Sequence, residues 1–448
     1  SWHAPDRGAK VAKLIPGRRL PKYTPDTLFA EWTKAQVARW HVDHPAIPLE
    51  KAFAEYQAAT PTDAELVADF PRHISPFGRV RSGKAAPAVA KKVLISYCPF
   101  CQSQSLRLSH DSQNPYHATT RCCGTELYGH AADFPPDYAL NPNATVRFRH
   151  LDDTEVAVPC TLYRDRNGVE WELFIKTLFD QRRWLQVGGT LIRSYEKRFR
   201  ATADPRYAHK IALLLDHVAD TYYGLPLSYA NELATGKDGG PLTRAEWEAP
   251  RPPGIFEVGE LGGWNRRQPI FNKGWIKMSD EHIWVEPFAR VRHHPAFKHY
   301  SQKTYGDPEA LDRKIMTKLL REVAMMFRNC FSQKLLTNYQ EANYVSLWLL
   351  GVLVQDPLLI DFAAPAQETS MYNHTYQDGM NGEGAPNYMA MPGGYFYPYL
   401  RDPNGWLEHY PQFLTEHPFY HAANGEMRRL RTVRGQQVEF GDQHEYAF

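Results

Sequence analysis

The sequence has no large excess of charge of either sign and no long apolar run. Its 52 Lys and Arg residues are balanced by 50 Asp and Glu residues, which leaves a formal net charge of +2 at pH 7. A nucleic-acid binder normally carries a basic domain or stripe, so this balance argues against nucleic acid as a partner. The longest apolar candidate, residues 345–354, is shorter than the about 18 residues that suggest a membrane span. We therefore expect no nucleic-acid partner and no membrane-spanning segment.

The sequence also lacks an initiator Met and an apolar signal core at its start. This start is typical of a secreted or periplasmic protein after removal of its signal peptide, and a trimmed chain would look the same. We expect a secreted or periplasmic location.

The composition and the hydropathy pattern change twice along the 448 residues of the sequence, which predicts three structural units. Residues 1–92 mix Pro-rich connectors with short helical patterns at 27–41 and 48–58, and they are interpreted as an N-terminal helical arm. Residues 93–170 contain β-prone runs and five of the six cysteines, which indicates a small β-rich insert. Amphipathic helical patterns dominate residues 171–448.

These helical patterns come in pairs: 185–199 with 207–223, 308–331 with 338–354, and 384–399 with 404–414. Pro205 suits the first turn of the second helix in the first pair. Repeated helical hairpins of this length are typical of an α/α toroid, whose inner helices line a cleft. The fold class that we predict is therefore mainly α, with an incomplete α/α toroid as the catalytic domain.

Three segments of this region carry a family resemblance. The first is the hairpin of residues 191–195, 203–208 and 213–219, and the second is the Asn-bearing segment 337–343. The third, residues 378–388, reads Asp-Gly-Met-Asn-Gly-Glu-Gly-Ala-Pro-Asn-Tyr and is the most specific. Together they resemble the heparinase II/III-like polysaccharide lyases, which cleave uronic-acid-containing polysaccharides by β-elimination.

The resemblance implies site residues as well as an activity. By position in the motifs, Tyr388 is the catalytic base and acid, and Asn338 or Gln340 neutralises the uronate carboxylate. Residues 438–442 look like a family element that precedes the last toroid helices and a C-terminal β-sandwich. We therefore expect the native chain to continue past Phe448, with the sandwich missing from this chain.

The chemistry of elimination explains why such residues are needed. Removal of the weakly acidic C5 proton requires donors that stabilise the enolate, and side-chain amides serve this purpose. Tyr has an ordinary pKa of about 10, so it needs nearby positive charge or donors to act as a base. On a helix Asn338 and Gln340 lie about 200° apart, which makes Asn338 the first choice, with a helix N-cap as its competing role. Catalysis by these groups needs no cofactor.

Further residues are candidates for the same cleft. His374 can tune Tyr388 or neutralise the carboxylate, although a lone loop His is more often simply hydrogen-bonded. We assign substrate binding to four residues, for which a structural or solvated position is the alternative: Glu383, Trp275, Trp284 and Arg292.

Two other functions use the same residues. A glycoside hydrolase on a similar helical barrel would use Asp378 and Glu383 as its acid and base. A non-catalytic carbohydrate-binding protein would hold the acidic polysaccharide in the cleft without cleaving it. The sequence does not identify the polysaccharide.

The cysteines of the insert predict a separate, structural site. Cys98 and Cys101 form a Cys-Pro-x-Cys pair, and Cys122 and Cys123 follow after 20 residues. This spacing is typical of structural zinc sites. A regular second pair would be Cys-x-x-Cys, whereas here position 120 is Thr and the cysteines are adjacent, so His117 is an alternative fourth ligand. One or two disulfides are the competing interpretation, favoured in an oxidising compartment.

Overall fold

The structure is a computed structural model that describes part of the chain. The described residues are 48–49, 51, 61–68, 70–73, 80–82, 98, 100–101, 103, 108–110, 117–128, 141–164, 170–226, 228–229, 232–233, 237–249, 284–330, 344–356 and 359. The chain divides into two compact units, one formed by Ile47–Cys330 and the other by Ser1–Ala46 with Phe331–Phe448.

Three antiparallel sheets are described in the first unit. The largest has the strand order β1-β7-β6-β5, the second has the order β2-β3-β4, and the third pairs β8 with β9. The strands are β1 (Val80–Ser82), β2 (Leu108–His110), β3 (His117–Thr120), β4 (Glu126–Tyr128), β5 (Asn141–Arg149), β6 (Glu155–Arg164), β7 (Glu170–Leu173), β8 (Ser228–Tyr229) and β9 (Glu232–Leu233).

The largest sheet buries one face because apolar residues alternate along its strands. In β6, Val156, Val158 and Cys160 share a face, and Phe148 of the paired strand β5 joins them in a core with Phe174. The period of two residues places successive side chains on opposite faces, so this pattern selects one buried side.

The helices of the first unit are α1 (Asp63–Val67), α2 (Ile175–Leu185), α3 (Ile192–Thr202), α4 (Pro205–Gly224), α5 (Arg244–Glu248), α6 (Pro295–Tyr305), α7 (Ala310–Ile315) and α8 (Arg321–Cys330). Residues 284–291 are helical as well. Two π-helical segments, Gln186–Leu191 and Met316–Leu320, join α2 to α3 and α7 to α8.

The hairpin predicted from 185–199 and 207–223 is confirmed as helices α3 and α4. Ala203 has a left-handed backbone (φ 55) that ends α3. The carboxylate of Asp204 accepts a hydrogen bond from the backbone N–H of Arg206 and caps α4, whose first residue is Pro205. Helix α4 is buried along most of its length and packs against α3, α6 and α7. It is the central helix of this unit.

A buried carboxylate links α4 to its neighbours. Asp216 is 5% exposed and accepts hydrogen bonds from the hydroxyls of Tyr300 and Tyr305 and from the ammonium group of Lys314. A buried charge is tolerated only when it is paired and hydrogen-bonded, and these three donors meet that requirement.

In the second unit, the structure describes helix α9 (Tyr344–Val354). Its residues Leu349, Leu350, Val352 and Leu353 are buried. The predicted helices at 27–41, 384–399 and 404–414 lie outside the described residues. An α/α toroid therefore stays a prediction, as do the three sequence-based domain boundaries.

Among the helices that the structure describes, none combines the length and the apolar character needed to cross a membrane.

Candidate functional site

Four cysteine side chains converge in the first unit. The sulfur atoms of Cys98, Cys101, Cys122 and Cys123 all lie within 4.8 Å of one another. They come from two segments of the chain, a first turn that contains Cys98 and Cys101 and the turn between strands β3 and β4. The predicted group of four cysteines is thus brought together, and it is able to hold a metal ion.

Local backbone hydrogen bonds shape both turns. The N–H of Cys98 donates to the carbonyl of Ser103 at 2.9 Å, which closes the first turn. In the second turn the N–H of Thr120 donates to the carbonyl of Thr125 at 2.9 Å, and the N–H of Gly124 donates to the carbonyl of Thr120 at 2.8 Å. Gly124 has a φ of 72°, a left-handed conformation that glycine adopts at little cost. The hairpin therefore fixes the backbone that presents Cys122 and Cys123.

The distance between the sulfurs of Cys98 and Cys123 is compatible with two ligands of one metal ion. Cys98 Sγ and Cys123 Sγ are 3.8 Å apart. Four sulfurs at about 2.3 Å from a tetrahedral zinc ion lie about 3.8 Å from one another, whereas a disulfide joins its sulfurs at about 2.0 Å. All four are free thiols, with Cys98 buried and the other three exposed. The cluster therefore lies at the protein surface, with Cys98 on its buried side.

The surroundings set different pKa values for these thiols. Burial raises the pKa of Cys98 and that of Cys122 above the ordinary value of a thiol. Burial acts in the same direction on Cys123, but hydrogen bonds from the hydroxyls of Thr120 and Thr125 outweigh it and lower its pKa to about 6. The thiolate is the form that would bind a metal, and Cys123 is the most readily ionised of these three thiols.

His117, the alternative fourth ligand, is not part of this group. Its ring lies on strand β3, where Nε2 is 4.0 Å from Glu126 Oε1. The group of ligand atoms consists of cysteine sulfurs alone. Adjacent cysteines are therefore able to approach the same point, and the group that could hold a metal ion contains both Cys122 and Cys123.

The residues predicted to act on the polysaccharide fall mainly in the second unit. Asp378, the acid of the alternative hydrolase, lies outside the described residues. So do six of the predicted site residues: Tyr388, Asn338, Gln340, His374, Glu383 and Trp275. Their roles stay predictions.

Trp284, predicted to bind substrate, is fully buried. Its indole N–H donates to the carbonyl of Gly188 at 2.7 Å, within the first π-helical segment. Its ring meets Trp184 edge-on, with centroids 5.7 Å apart, and also contacts Tyr222. These contacts are those of a core residue, so they lend no support to substrate binding by Trp284.

Arg292, the other described residue of that group, is held in a bidentate ion pair. Its guanidinium group donates to both carboxylate oxygens of Asp312, at 2.7 and 2.8 Å. This geometry is the strong form of an arginine–carboxylate pair and compensates the charge. A role in binding the acidic polysaccharide remains a prediction for Arg292 too.

The two threonines beside Cys123 were not predicted from the sequence. Thr120 Oγ1 lies 3.1 Å and Thr125 Oγ1 3.2 Å from its sulfur. The sequence offered one indication of their role: Thr120 occupies the position of the first cysteine in a regular Cys-x-x-Cys pair.

Comparison of the chain with protein-family models, with curated proteins and with solved structures finds no match. The function is therefore inferred from the residues themselves.

Proposed function

We propose that this chain is the catalytic part of a lyase that cleaves a uronic-acid-containing polysaccharide by β-elimination, and that four of its cysteines hold a structural zinc ion. The zinc centre is supported by the convergence of four sulfur atoms within 4.8 Å. The lyase activity is supported by the sequence of residues 378–388, which ends at Tyr388. A secreted or periplasmic location suits a polysaccharide substrate.

The donor set determines which metal the cysteines favour. Thiolates are soft ligands, and a tetrahedral set of four sulfurs is typical of zinc or of iron–sulfur chemistry. Four protein ligands leave no open position on zinc, which is the arrangement of a structural site rather than a catalytic one. We therefore assign the zinc ion no part in the cleavage reaction.

The expected effect of the metal is on folding. Cys98 and Cys101 precede the three-stranded sheet, whereas Cys122 and Cys123 lie in its second turn. A metal bound by both pairs ties the first turn to the hairpin. Since such a site rarely exists in the unfolded chain, the free energy of metal binding is also free energy of folding.

Metal analysis of the purified full chain tests the zinc centre. We expect one zinc ion per chain, lost in Cys98→Ser and in Cys122→Ser and retained in Cys160→Ala, where a buried cysteine of strand β6 is changed. Release of zinc from the wild-type protein by a thiol-modifying reagent gives the same information without a variant. Iron in place of zinc, or no metal together with the loss of free thiols, would overturn the assignment.

The proposed cleavage step is a proton transfer coupled to bond breaking. Tyr388, as phenolate, takes the proton from C5 of the uronate. The electron pair forms the C4–C5 double bond while the C4–O bond breaks, and the phenol then gives its proton to the leaving oxygen. Asn338 donates hydrogen bonds to the carboxylate, which carries the developing negative charge of the enolate.

The remaining predicted residues have supporting roles in this proposal. Gln340 and His374 supply further donors near the carboxylate, and Glu383 and Trp275 contact the sugar chain. The buried position of Trp284 and the ion pair of Arg292 make both weaker candidates for substrate contact.

An activity screen tests the proposed reaction and its substrate class. The purified chain is incubated with alginate, ulvan, heparan-type and hyaluronan-type polysaccharides, and the ultraviolet absorbance of the unsaturated product is followed. We expect absorbance to rise with at least one uronate polymer. Cleavage that yields only saturated ends would replace the lyase by the hydrolase that uses Asp378 and Glu383. Binding of a polymer without cleavage would indicate a carbohydrate-binding protein.

A further inference from the structure

The sulfur of Cys123 lies between two threonine hydroxyls. Thr120 Oγ1 is 3.1 Å from it and Thr125 Oγ1 is 3.2 Å from it. Thr120 is the last residue of strand β3 and is 1% exposed, whereas Cys123 as a residue is exposed. The buried hydroxyl of Thr120 thus contacts the sulfur of a residue that is otherwise exposed.

A third hydrogen bond sets the direction of the contact with Thr120. The backbone N–H of Thr125 donates to Thr120 Oγ1 at 2.8 Å. Since that N–H uses an acceptor site on the oxygen, the hydroxyl proton of Thr120 remains available to Cys123 Sγ. The hydroxyl is therefore placed to act as donor and the sulfur as acceptor, which is the arrangement that a thiolate needs.

The sequence of the second turn explains why such support is needed. A regular knuckle would place its two ligands at positions 120 and 123, but here the ligands are the neighbours Cys122 and Cys123. Neighbouring residues in a chain do not naturally direct their side chains to one point. A sulfur that must turn toward the other three requires contacts that fix its rotamer.

We propose that Thr120 and Thr125 are positioning residues of the metal centre, holding the Cys123 sulfur as the fourth ligand. Their hydroxyls also share the surplus negative charge, since four thiolates around a divalent ion leave a net charge of −2. This inference rests on the proposed zinc site and adds to it the two residues that allow adjacent cysteines to serve.

Valine substitutions remove the hydroxyls and keep the shape of the side chains. Hydrogen-bond partners of metal ligands typically contribute about 10- to 100-fold in metal affinity, and we expect a loss in that range for Thr120→Val. Thr125→Val keeps its backbone N–H and loses one contact with sulfur, so we expect a smaller loss. Thr120→Ser restores the hydroxyl and should retain wild-type affinity.

Thr119→Val is the matched control. Thr119 precedes Thr120 on strand β3, pairs with Ser109 and Glu126, and faces the opposite side of the sheet. Its loss of a hydroxyl should leave zinc affinity unchanged.

The experiment measures zinc affinity of the full chain by competition with a chromophoric chelator and records the absorption spectrum after substitution with Co²⁺. In Thr120→Val we expect weaker zinc binding and a shifted thiolate-to-cobalt band, both restored by serine. A variant with unchanged affinity and an unchanged band, even if less stable, would overturn the positioning role. Failure of the wild-type protein to bind zinc or cobalt would instead overturn the metal site itself.

Discussion

The ammonium nitrogen of Lys314 lies 2.6 Å from the buried carboxylate of Asp216. The same nitrogen lies 2.6 Å from Asp220 Oδ2, one turn further along helix α4. Although burial opposes its charge, the two carboxylates raise the pKa of Lys314 above its ordinary value. One cation therefore joins two successive turns of α4 to the helical segment at residues 310–330.

Removal of this cation should destabilise the protein. Lys314→Met leaves Asp216 buried with its two tyrosine donors but without a compensating charge. Loss of one partner of a buried pair is strongly destabilising, and with the tyrosines retained we expect a loss of about 2–4 kcal/mol in the free energy of unfolding. Chemical denaturation of the full chain measures it.

Lys318→Met is the control for that change. Lys318 Nζ is 3.4 Å from Asp220, and its side chain is 43% exposed. Exposed pairs contribute about 0–1 kcal/mol, so this variant should remain close to the wild type. An equal loss in the free energy of unfolding for the two substitutions would show that the buried pair contributes no more to stability than the exposed pair.

The stability of this region should also depend on pH through Tyr305. Burial and the hydrogen bond that its hydroxyl donates to Asp216 raise the pKa of Tyr305 to about 12. The ordinary value is about 10, so the folded state favours the neutral phenol. Its contribution to stability is complete below about pH 10 and is lost as the pH rises through about 12.

A comparison of the wild type with Tyr305→Phe isolates this contribution. The wild type should be the more stable protein from about pH 7 to 10, and its advantage should shrink toward about pH 11. The measurement is the denaturant midpoint of both proteins at each pH. An advantage that disappears already near neutral pH would contradict the raised pKa.

Local sequence signals account for several elements of the fold. Asp204 and Pro205 predict the start of α4, because a carboxylate caps the free N–H groups and proline suits the first turn. Strands β5 and β6 lie within residues 93–170, which the sequence predicts to be β-rich. Ala203, in contrast, ends α3 in a left-handed conformation that a sequence pattern does not assign to alanine.

Two features of the structure could not be predicted from the sequence: the π-helical turn at Met316–Leu320 and the choice of the fourth residue in the cysteine cluster. Periodicity predicts the helical pattern at 308–331 but not the π-helical turn within it, because the amphipathic pattern continues through Met316–Leu320, with Thr317 exposed and Leu319 and Leu320 buried. The spacing of the cysteines predicted the cluster. It did not choose between His117 and an adjacent cysteine pair, because that choice depends on the register of the β3–β4 hairpin.

The carboxylate-binding role assigned to Asn338 predicts a kinetic effect. Asn338→Ala removes a donor to the enolate, and the loss of one such donor costs roughly 10²- to 10³-fold in turnover. Substrate binding should persist, since the remaining sugar contacts are unchanged. Steady-state kinetics on the cleaved polymer measure both quantities, with Gln340→Ala as the neighbouring comparison. A larger effect of Gln340→Ala would exchange the two assignments.

The most direct test of the lyase proposal measures unsaturated product formation by the wild type and by Tyr388→Phe. The substitution removes only the phenolic oxygen, so we expect stability to change little while turnover falls roughly 10²- to 10⁴-fold, the scale of a lost acid–base group. The wild-type product should carry a carbon–carbon double bond conjugated with the carboxyl group at each new non-reducing end. Saturated ends, or near-normal turnover in Tyr388→Phe, would contradict the proposed mechanism.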